Sequence, residues 1–226
     1  MDPLTSLLAA CVTFVGSHFA MSHPLRPAMV AALGEKGFQA VYSLVSLAAF
    51  VWIYLAFKAV PPSVPLWPGF DDVSWALASL LTLVAMVLLA GSFVGNPALP
   101  APGAAKAAAK EPRGVLRVTR HPMMWAIGLW ALAHLIAAPT ARTLVVASAM
   151  GFLALVGAHL RDRKKEALMG AAWTGWEART SYWPKLGKLF SVGWLWWLIG
   201  FALWLVFTFA HIHPSGWAAG VWRWVV

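Results

Sequence analysis

Seven histidines occur in a chain that is otherwise strongly apolar, and their chemistry needs an explanation. A buried imidazole is costly in hydrocarbon unless it is hydrogen-bonded or bound to a metal. His134 lies in the apolar run 129–135, about 13 residues and roughly 20 Å of helix beyond His121. His18 lies near the end of another apolar run. The pattern therefore predicts two histidines within a membrane-embedded helical bundle.

One buried histidine on each of two helices is an arrangement that can hold haem b. The iron of that group takes two neutral imidazoles on opposite faces of the porphyrin. His18 and His134 are the first candidates for these axial ligands. On straight helices His18 lies nearer the cytoplasmic surface than His134, so His121 and His159 are reserve partners. The alternative is that each histidine is packed and hydrogen-bonded to a neighbouring carbonyl or hydroxyl.

The Arg-His-Pro segment at 120–122 marks the entry to a predicted helix. Pro122 suits the first helical position and His121 the N-cap. Arg117 and Arg120 are positioned to meet an anionic group, either a haem propionate or a lipid phosphate. The alternative for this segment is a basic membrane anchor.

The remaining polar residues carry weaker signals. His159 closes a predicted helix, where a solvated histidine at the interface is the default interpretation. His211 and His213 form a His-x-His pair without further ligands, which is a weak indication of metal binding. Glu166 and Glu177 lie in a basic loop and are predicted to form surface ion pairs.

The composition places these residues in a membrane protein. Of the 226 residues 61% are hydrophobic and 11% charged, and the mean hydropathy is +0.72, which is too apolar for a soluble domain of this length. A single cysteine, Cys11, excludes an intramolecular disulfide. The net charge of +9 is explained by basic loops on one membrane side, so nucleic acid is not an expected partner.

Six apolar stretches are long enough to cross a bilayer as helices, which need roughly 20 residues. They define an all-α integral membrane fold, a bundle of about six transmembrane helices in a single domain, 1–226. The segment 96–113, rich in Ala, Pro and Lys, is predicted to be a flexible cytoplasmic loop. The predicted spans are 4–22, 37–60, 73–94, 122–139, 142–161 and 190–212.

The lysines and arginines predict the orientation of this bundle. Six spans place 14 of the 17 basic residues on one face, and only Lys58, Arg142 and Arg223 lie on the other. Because positively charged loops stay in the cytoplasm, both termini are expected to be extracytoplasmic.

Several short motifs are spread along the chain: Gly16–His18, Ser22–Arg26, Leu33–Lys36, Tyr42–Leu44 and Gly114–Met124. With these motifs nearly the whole chain resembles the NnrU membrane proteins of bacteria. The resemblance implies a multi-pass protein of the bacterial inner membrane, linked to denitrification and nitrogen-oxide metabolism, with nitric oxide as an expected ligand. It also extends to the zeta-carotene isomerases, which bind haem b and turn over a cis double bond of a carotenoid.

The resemblance to the isomerases implies particular haem ligands. Their Trp-x-Leu-Ala-His stretch matches Trp130 to His134, which makes His134 the corresponding ligand. Their first-helix histidine, followed by an arginine, matches His18 and Arg26 when the alignment is shifted by one residue. Where the plant enzymes have a cysteine, this chain has Ala131, so a thiol cannot serve as an alternative iron ligand at this position.

A second resemblance is to the isoprenylcysteine and phospholipid methyltransferases, which bind S-adenosylmethionine at an Arg-His-Pro helix entry. Here that entry is followed by Glu166, Gly170, Trp176, Tyr182 and Pro184. This chain departs from the pattern at Met124, where those enzymes usually have tyrosine, and only Glu166 represents their paired glutamates. The resemblance implies an alternative function as a membrane methyltransferase.

Overall fold

The computed structural model describes residues 1–100 and 103–225, and these residues form helices and loops without any β-strand. The prediction of an all-helical protein is therefore confirmed. In the described ranges the α-helices are α1 Pro3–Ser22, α2 Arg26–Ala59, α3 Asp72–Gly91, α4 Ala104–Ala108, α5 Pro122–Ala137, α6 Ala141–Met169, α7 Ala171–Arg179, α8 Trp194–Ala210 and α9 Ile212–Ser215. Short 3₁₀ turns occupy Gly114–Arg117, Leu186–Ser191 and Gly220–Trp224.

Among the described residues, five helical segments are long and apolar enough to cross a membrane: α1, α2, α3, α6 and Trp194–Pro214, which begins with α8. The remaining apolar helix, α5, has 16 residues and so a length of about 24 Å, less than the roughly 30 Å of a hydrocarbon core. The chain is thus a multi-pass membrane protein with five candidate spans. The predicted span 122–139 corresponds to the shorter α5.

Local sequence signals explain where the helices begin. The Asp71 side chain accepts hydrogen bonds from the backbone of Val73 and Ser74 at 2.9 Å, and so caps α3. Helix α5 begins at Pro122 with His121 at the N-cap, as the sequence predicted. Within α2, Gly34 adopts φ 69°, a conformation that glycine accepts without penalty, and it kinks the helix.

The helices pack in the series α2, α1, α6, α5, α3, α8, each against the next. Small residues allow close approach at these contacts. A Cβ added at Gly200 of α8 would lie 2.6 Å from the Cα of Val87 in α3. The short helix α5 packs against both α3 and α6, so its neighbours position the residues at its two ends.

The segment 96–113 contains α4, which packs against α7. Ala98, Ala108 and Leu116 are buried with Trp173 and Trp176 in one apolar cluster. Residues 101 and 102 of the predicted flexible loop lie outside the described residues, and the flexibility of the loop stays a prediction.

Candidate functional site

Two loops meet at the N-terminal end of α5 and are joined by backbone hydrogen bonds. The backbone N–H of Arg120 donates to the carbonyl of Ser181, and that of Lys185 donates to the carbonyl of Val118, both at 2.8 Å. The carbonyl of Tyr182 accepts from Thr119 Oγ1 at 2.7 Å and from Trp125 Nε1 at 2.8 Å. These bonds place Arg120, His121 and Tyr182 beside the end of α6.

A buried charge network, formed by Arg120, His121, Asp162 and Glu177, lies at this junction. Arg120 donates to Asp162 Oδ2 from Nε at 3.0 Å and from Nη2 at 2.6 Å, while His121 Nε2 lies 2.7 Å from Oδ1. Glu177 of α7 forms a second ion pair with Arg120 at 3.1 Å. The side chains of Arg120 and Asp162 are 13% and 6% exposed, and that of His121 only 1%. The network therefore connects the start of α5 with α6 and α7 through largely buried side chains.

Burial and hydrogen bonding together shift the pKa values in this network. Burial lowers the pKa of His121 below its ordinary value of 6.5, and the hydrogen bond to Asp162 opposes that shift. A neutral His121 donates its Nε2 proton to the carboxylate, which can only accept. Burial raises the pKa of Glu177, the Arg120 charge opposes this shift, and the nearby carboxylates of Asp162 and Glu166 add to it. Arg120 forms ion pairs with both of these carboxylates, Asp162 and Glu177.

A cavity of ≈ 500 Å³ opens beside the network. The aromatic ring of Tyr182 forms one wall, and its hydroxyl donates to the carbonyl of Leu155 at 2.7 Å. Burial raises the pKa of Tyr182, so this hydroxyl stays protonated. The cavity thus combines charged and aromatic groups. Its lining residues are Arg120, Leu155, Val156, His159, Asp162, Tyr182 and Trp183.

His134 lies near the C-terminal end of α5, with its Nδ1 2.8 Å from the carbonyl oxygen of Trp130. Because a carbonyl can only accept, Nδ1 carries the hydrogen of the neutral ring and Nε2 carries the lone pair. Metal-binding histidines are commonly fixed in this way. The ring of His211, at the end of α8, lies 6.0 Å from that of His134 between centroids.

His18 has the same backbone bond in a different environment. Its Nδ1 lies 2.7 Å from the carbonyl oxygen of Phe14, and its Nε2 lies 3.4 Å from Ser46 Oγ of α2. Its ring also contacts that of Tyr42. The structure therefore places His18 between α1 and α2, whereas His134 faces His211.

The other predicted site residues are placed as follows. His121 and Arg120 belong to the charge network, where Arg120 already meets carboxylates. His159 lines the cavity. Arg117 lies within 3.5 Å of the carbonyl oxygens of Pro112 and Ser191. The structure thus brings His121, His159 and Arg120 to one site and leaves His134 and His18 in two others.

Asp162 is the central residue of the network, and the sequence did not reveal its role. The only available signal was a single carboxylate in the basic run 161–165 at the end of an apolar helix. Glu166 forms the predicted surface ion pair, with Arg163 at 3.2 Å. Glu177 forms an ion pair too, but its partner is the buried Arg120.

Within residues 1–100 and 103–225, no group of three or more His, Cys, Asp or Glu side chains could hold a metal ion. A haem iron with two imidazole ligands does not require such a group.

The fold and these sites define an all-helical, multi-pass membrane protein with a buried charge network at one end of a short central helix. The chain belongs to the NnrU protein family, whose family model matches residues 6–221. No curated protein and no solved structure matches the chain.

Proposed function

We propose that this NnrU-family protein binds one haem b with His134 as an axial ligand, and that it acts in nitrogen-oxide metabolism in the bacterial inner membrane. The observation that supports haem is the bond from His134 Nδ1 to the Trp130 carbonyl, which directs the Nε2 lone pair away from its own backbone. When bound, haem iron supplies a site for nitric oxide once one imidazole has left.

Two histidines are candidates for the second ligand. Either residue would hold the iron together with His134 only if its free ring nitrogen faced the same iron. The centroids of His134 and His211 lie 6.0 Å apart. His18 is oriented by its own backbone bond but lies between α1 and α2. The separation favours His211, and the family resemblance favours His18.

Absorption spectra of the detergent-purified protein test the haem proposal. With haem supplied during expression, we expect the sharp reduced bands of six-coordinate haem b, and their loss in His134→Ala. The second ligand is identified by comparing His18→Ala with His211→Ala. The variant whose haem spectrum shows a changed coordination has lost the second ligand. His213→Ala is the matched control, since His213 is exposed and neighbours α8. A protein that stays colourless, or unaltered spectra in His134→Ala, would contradict the proposal.

Nitric-oxide binding is favoured here over carotenoid isomerisation. Ala131 occupies the place of the isomerases' cysteine and is 4% exposed. A Cβ added at Gly151 of α6 would approach the Ala131 methyl group to 3.3 Å. Ala131 therefore packs α5 against α6, and it provides no thiol group. The isomerase alternative predicts a changed carotenoid profile in cells that accumulate the cis substrate, whereas nitric-oxide binding predicts a shifted haem spectrum.

S-adenosylmethionine binding is a second candidate function, supported by the cavity of ≈ 500 Å³ beside the charge network. The second resemblance rests on residues distant in sequence, and three of them converge here: Arg120, His121 and Tyr182. Glu177 and Asp162 add negative charge near the aromatic wall. A carboxylate and aromatic faces together suit a sulfonium cation.

Removal of an aromatic wall tests this candidate. In a binding assay with radiolabelled S-adenosylmethionine, we expect Trp183→Ala to weaken binding about two- to fivefold, because a cation–π contact at an exposed ring contributes about 0.5 to 1 kcal/mol. Trp183 is 68% exposed, so its loss leaves the charge network intact. Trp194→Ala, 76% exposed and outside the cavity lining, is the control. No binding by the wild type at millimolar ligand would reject the candidate.

We further infer that α5 is a sixth span and that both termini are extracytoplasmic. Its packing between α3 and α6, two candidate spans, supports this topology. A tilt of its neighbours or a locally thinner bilayer accommodates a helix of this length. The distribution of basic residues, 14 of 17 on one face, supports the orientation.

A further inference from the structure

A second polar face of α6 carries cations that the charge network does not neutralise. Asp162 faces α5, whereas Lys164 faces α1, with its Nζ 3.4 Å from the carbonyl oxygen of Ser22. Lys165 Nζ lies 3.0 Å from the carbonyl oxygen of Leu99. In the part of the chain that the structure describes, the Arg161 guanidinium forms no hydrogen bond or ion pair. All three side chains are half-buried.

These cations lie close enough to repel one another. Lys164 is within electrostatic range of both Arg161 and Arg26. Burial, and then the charges of Lys164 and Arg161, lower the pKa of His23. We call the space between the end of α1, the start of α2 and the end of α6 the basic cleft, defined by His23, Arg26, Arg161 and Lys164. Like charges held together in a partly desolvated place are costly without a counter-ion.

The nearby carboxylates do not provide that counter-ion. Both oxygens of Asp162 are engaged, one by Arg120 and the other by His121. Glu35 forms an ion pair with Arg26 at 2.6 Å. In the described residues neither Arg161 nor Lys164 forms an ion pair, although Glu35 is within electrostatic range of Lys164 and Asp162 of Arg161. The two cations therefore suit an additional anion from outside the chain.

The position of the basic cleft points to a membrane lipid. The Gly34 kink separates the first turns of α2 from its membrane-spanning part. Leu25 and Leu33, at the two ends of those turns, are 48% and 49% exposed. Basic pockets flanked by apolar residues at the ends of spanning helices bind lipid headgroups, and guanidinium matches phosphate with two hydrogen bonds.

We propose that the basic cleft binds the phosphate group of an anionic membrane phospholipid through Arg161 and Lys164. This site is separate from the haem and S-adenosylmethionine proposals, and it survives if either of them fails. Arg161 supplies the planar donor pair, Lys164 adds the second charge, and Leu25 and Leu33 adjoin the acyl chains.

Lipid titration of the delipidated, detergent-purified protein tests this proposal, with retained lipid counted by native mass spectrometry. We expect phosphatidylglycerol to bind, and each of Arg161→Gln and Lys164→Gln to weaken it about fivefold, since a basic residue near the headgroups contributes about 1 kcal/mol. The double variant Lys185→Gln/Lys188→Gln removes two exposed charges outside the cleft and should change binding less than twofold.

Three outcomes would overturn the proposal. Equal retention of phosphatidylcholine would show that the headgroup charge is irrelevant. If the Lys185 and Lys188 control weakened phosphatidylglycerol binding equally, the lipid would respond to the overall positive charge of the protein and not to a specific site. Thermal stabilisation by inorganic phosphate that matches phosphatidylglycerol, and is lost in Arg161→Gln, would assign the cleft to soluble phosphate instead of lipid. The single variants remove side chains without a carboxylate partner, so folding should be retained.

Discussion

Asp162→Ala is expected to be about 3 to 5 kcal/mol less stable than the wild type, because it leaves buried charge without a partner. The substitution removes the acceptor of three hydrogen bonds from Arg120 and His121, whose side chains are 13% and 1% exposed. Glu177 would remain beside Arg120, but its single contact at 3.1 Å cannot replace the lost pair. The midpoint of SDS-induced unfolding in mixed micelles measures this loss.

Glu111→Gln is the control for this variant. Glu111 also forms an ion pair with an arginine, Arg179 at 3.2 Å, but its side chain is 77% exposed. Exposed pairs contribute roughly 0 to 1 kcal/mol, so the unfolding midpoint should hardly move. If Asp162→Ala were as stable as Glu111→Gln, the network would not hold α5, α6 and α7 together.

Gly200→Ala is expected to destabilise the protein by about 1 to 3 kcal/mol through overpacking between α3 and α8. The added methyl group would lie 2.6 Å from the Cα of Val87 and 2.8 Å from its backbone nitrogen. Backbone atoms cannot rotate away as a side chain can, so the two helices must separate. The same unfolding measurement detects the loss.

Gly16→Ala in α1 is the matched control, because the new methyl group would meet nothing within 4 Å. A helical glycine costs about 0.5 to 1 kcal/mol relative to alanine, so this variant should be equally or more stable than the wild type. If Gly200→Ala were as stable as Gly16→Ala, α8 would not approach α3 as closely as the structure indicates.

The charge network and the histidine pair lie at opposite ends of α5. Arg120 and His121 precede its first residue, Pro122, while His134 lies three residues before its last, Ala137. The two sites are thus connected by a single short helix packed between α3 and α6. Combining Asp162→Ala with the haem spectra would reveal whether the network also holds His134 in position.

The positions of most helices followed from the sequence because hydrocarbon allows few alternatives. A backbone in lipid must satisfy its own hydrogen bonds, so each apolar run of sufficient length becomes a helix. The predicted start of α5 at Pro122 is confirmed, since proline lacks the N–H that a first helical residue cannot use. The length of α6 was underestimated, because its polar end, 162–169, continues as a helix past the apolar run.

The partners of the polar residues depended on tertiary structure. The sequence paired His18 with His134 in spite of their different depths, but helix order places one beside Tyr42 and the other beside His211. Asp162 and Arg120 are 42 residues apart and become an ion pair only because α5 and α6 pack together.

The sequence by itself determined that this chain is an all-helical membrane protein, because hydrophobicity and helix length are local properties that a bilayer selects directly. Nearly all of its length also carries the residues of the NnrU family. Only the tertiary structure decided which polar groups meet. Contacts such as Arg120 with Asp162 and His134 with His211 depend on which helix faces lie together, and packing between distant segments sets those faces.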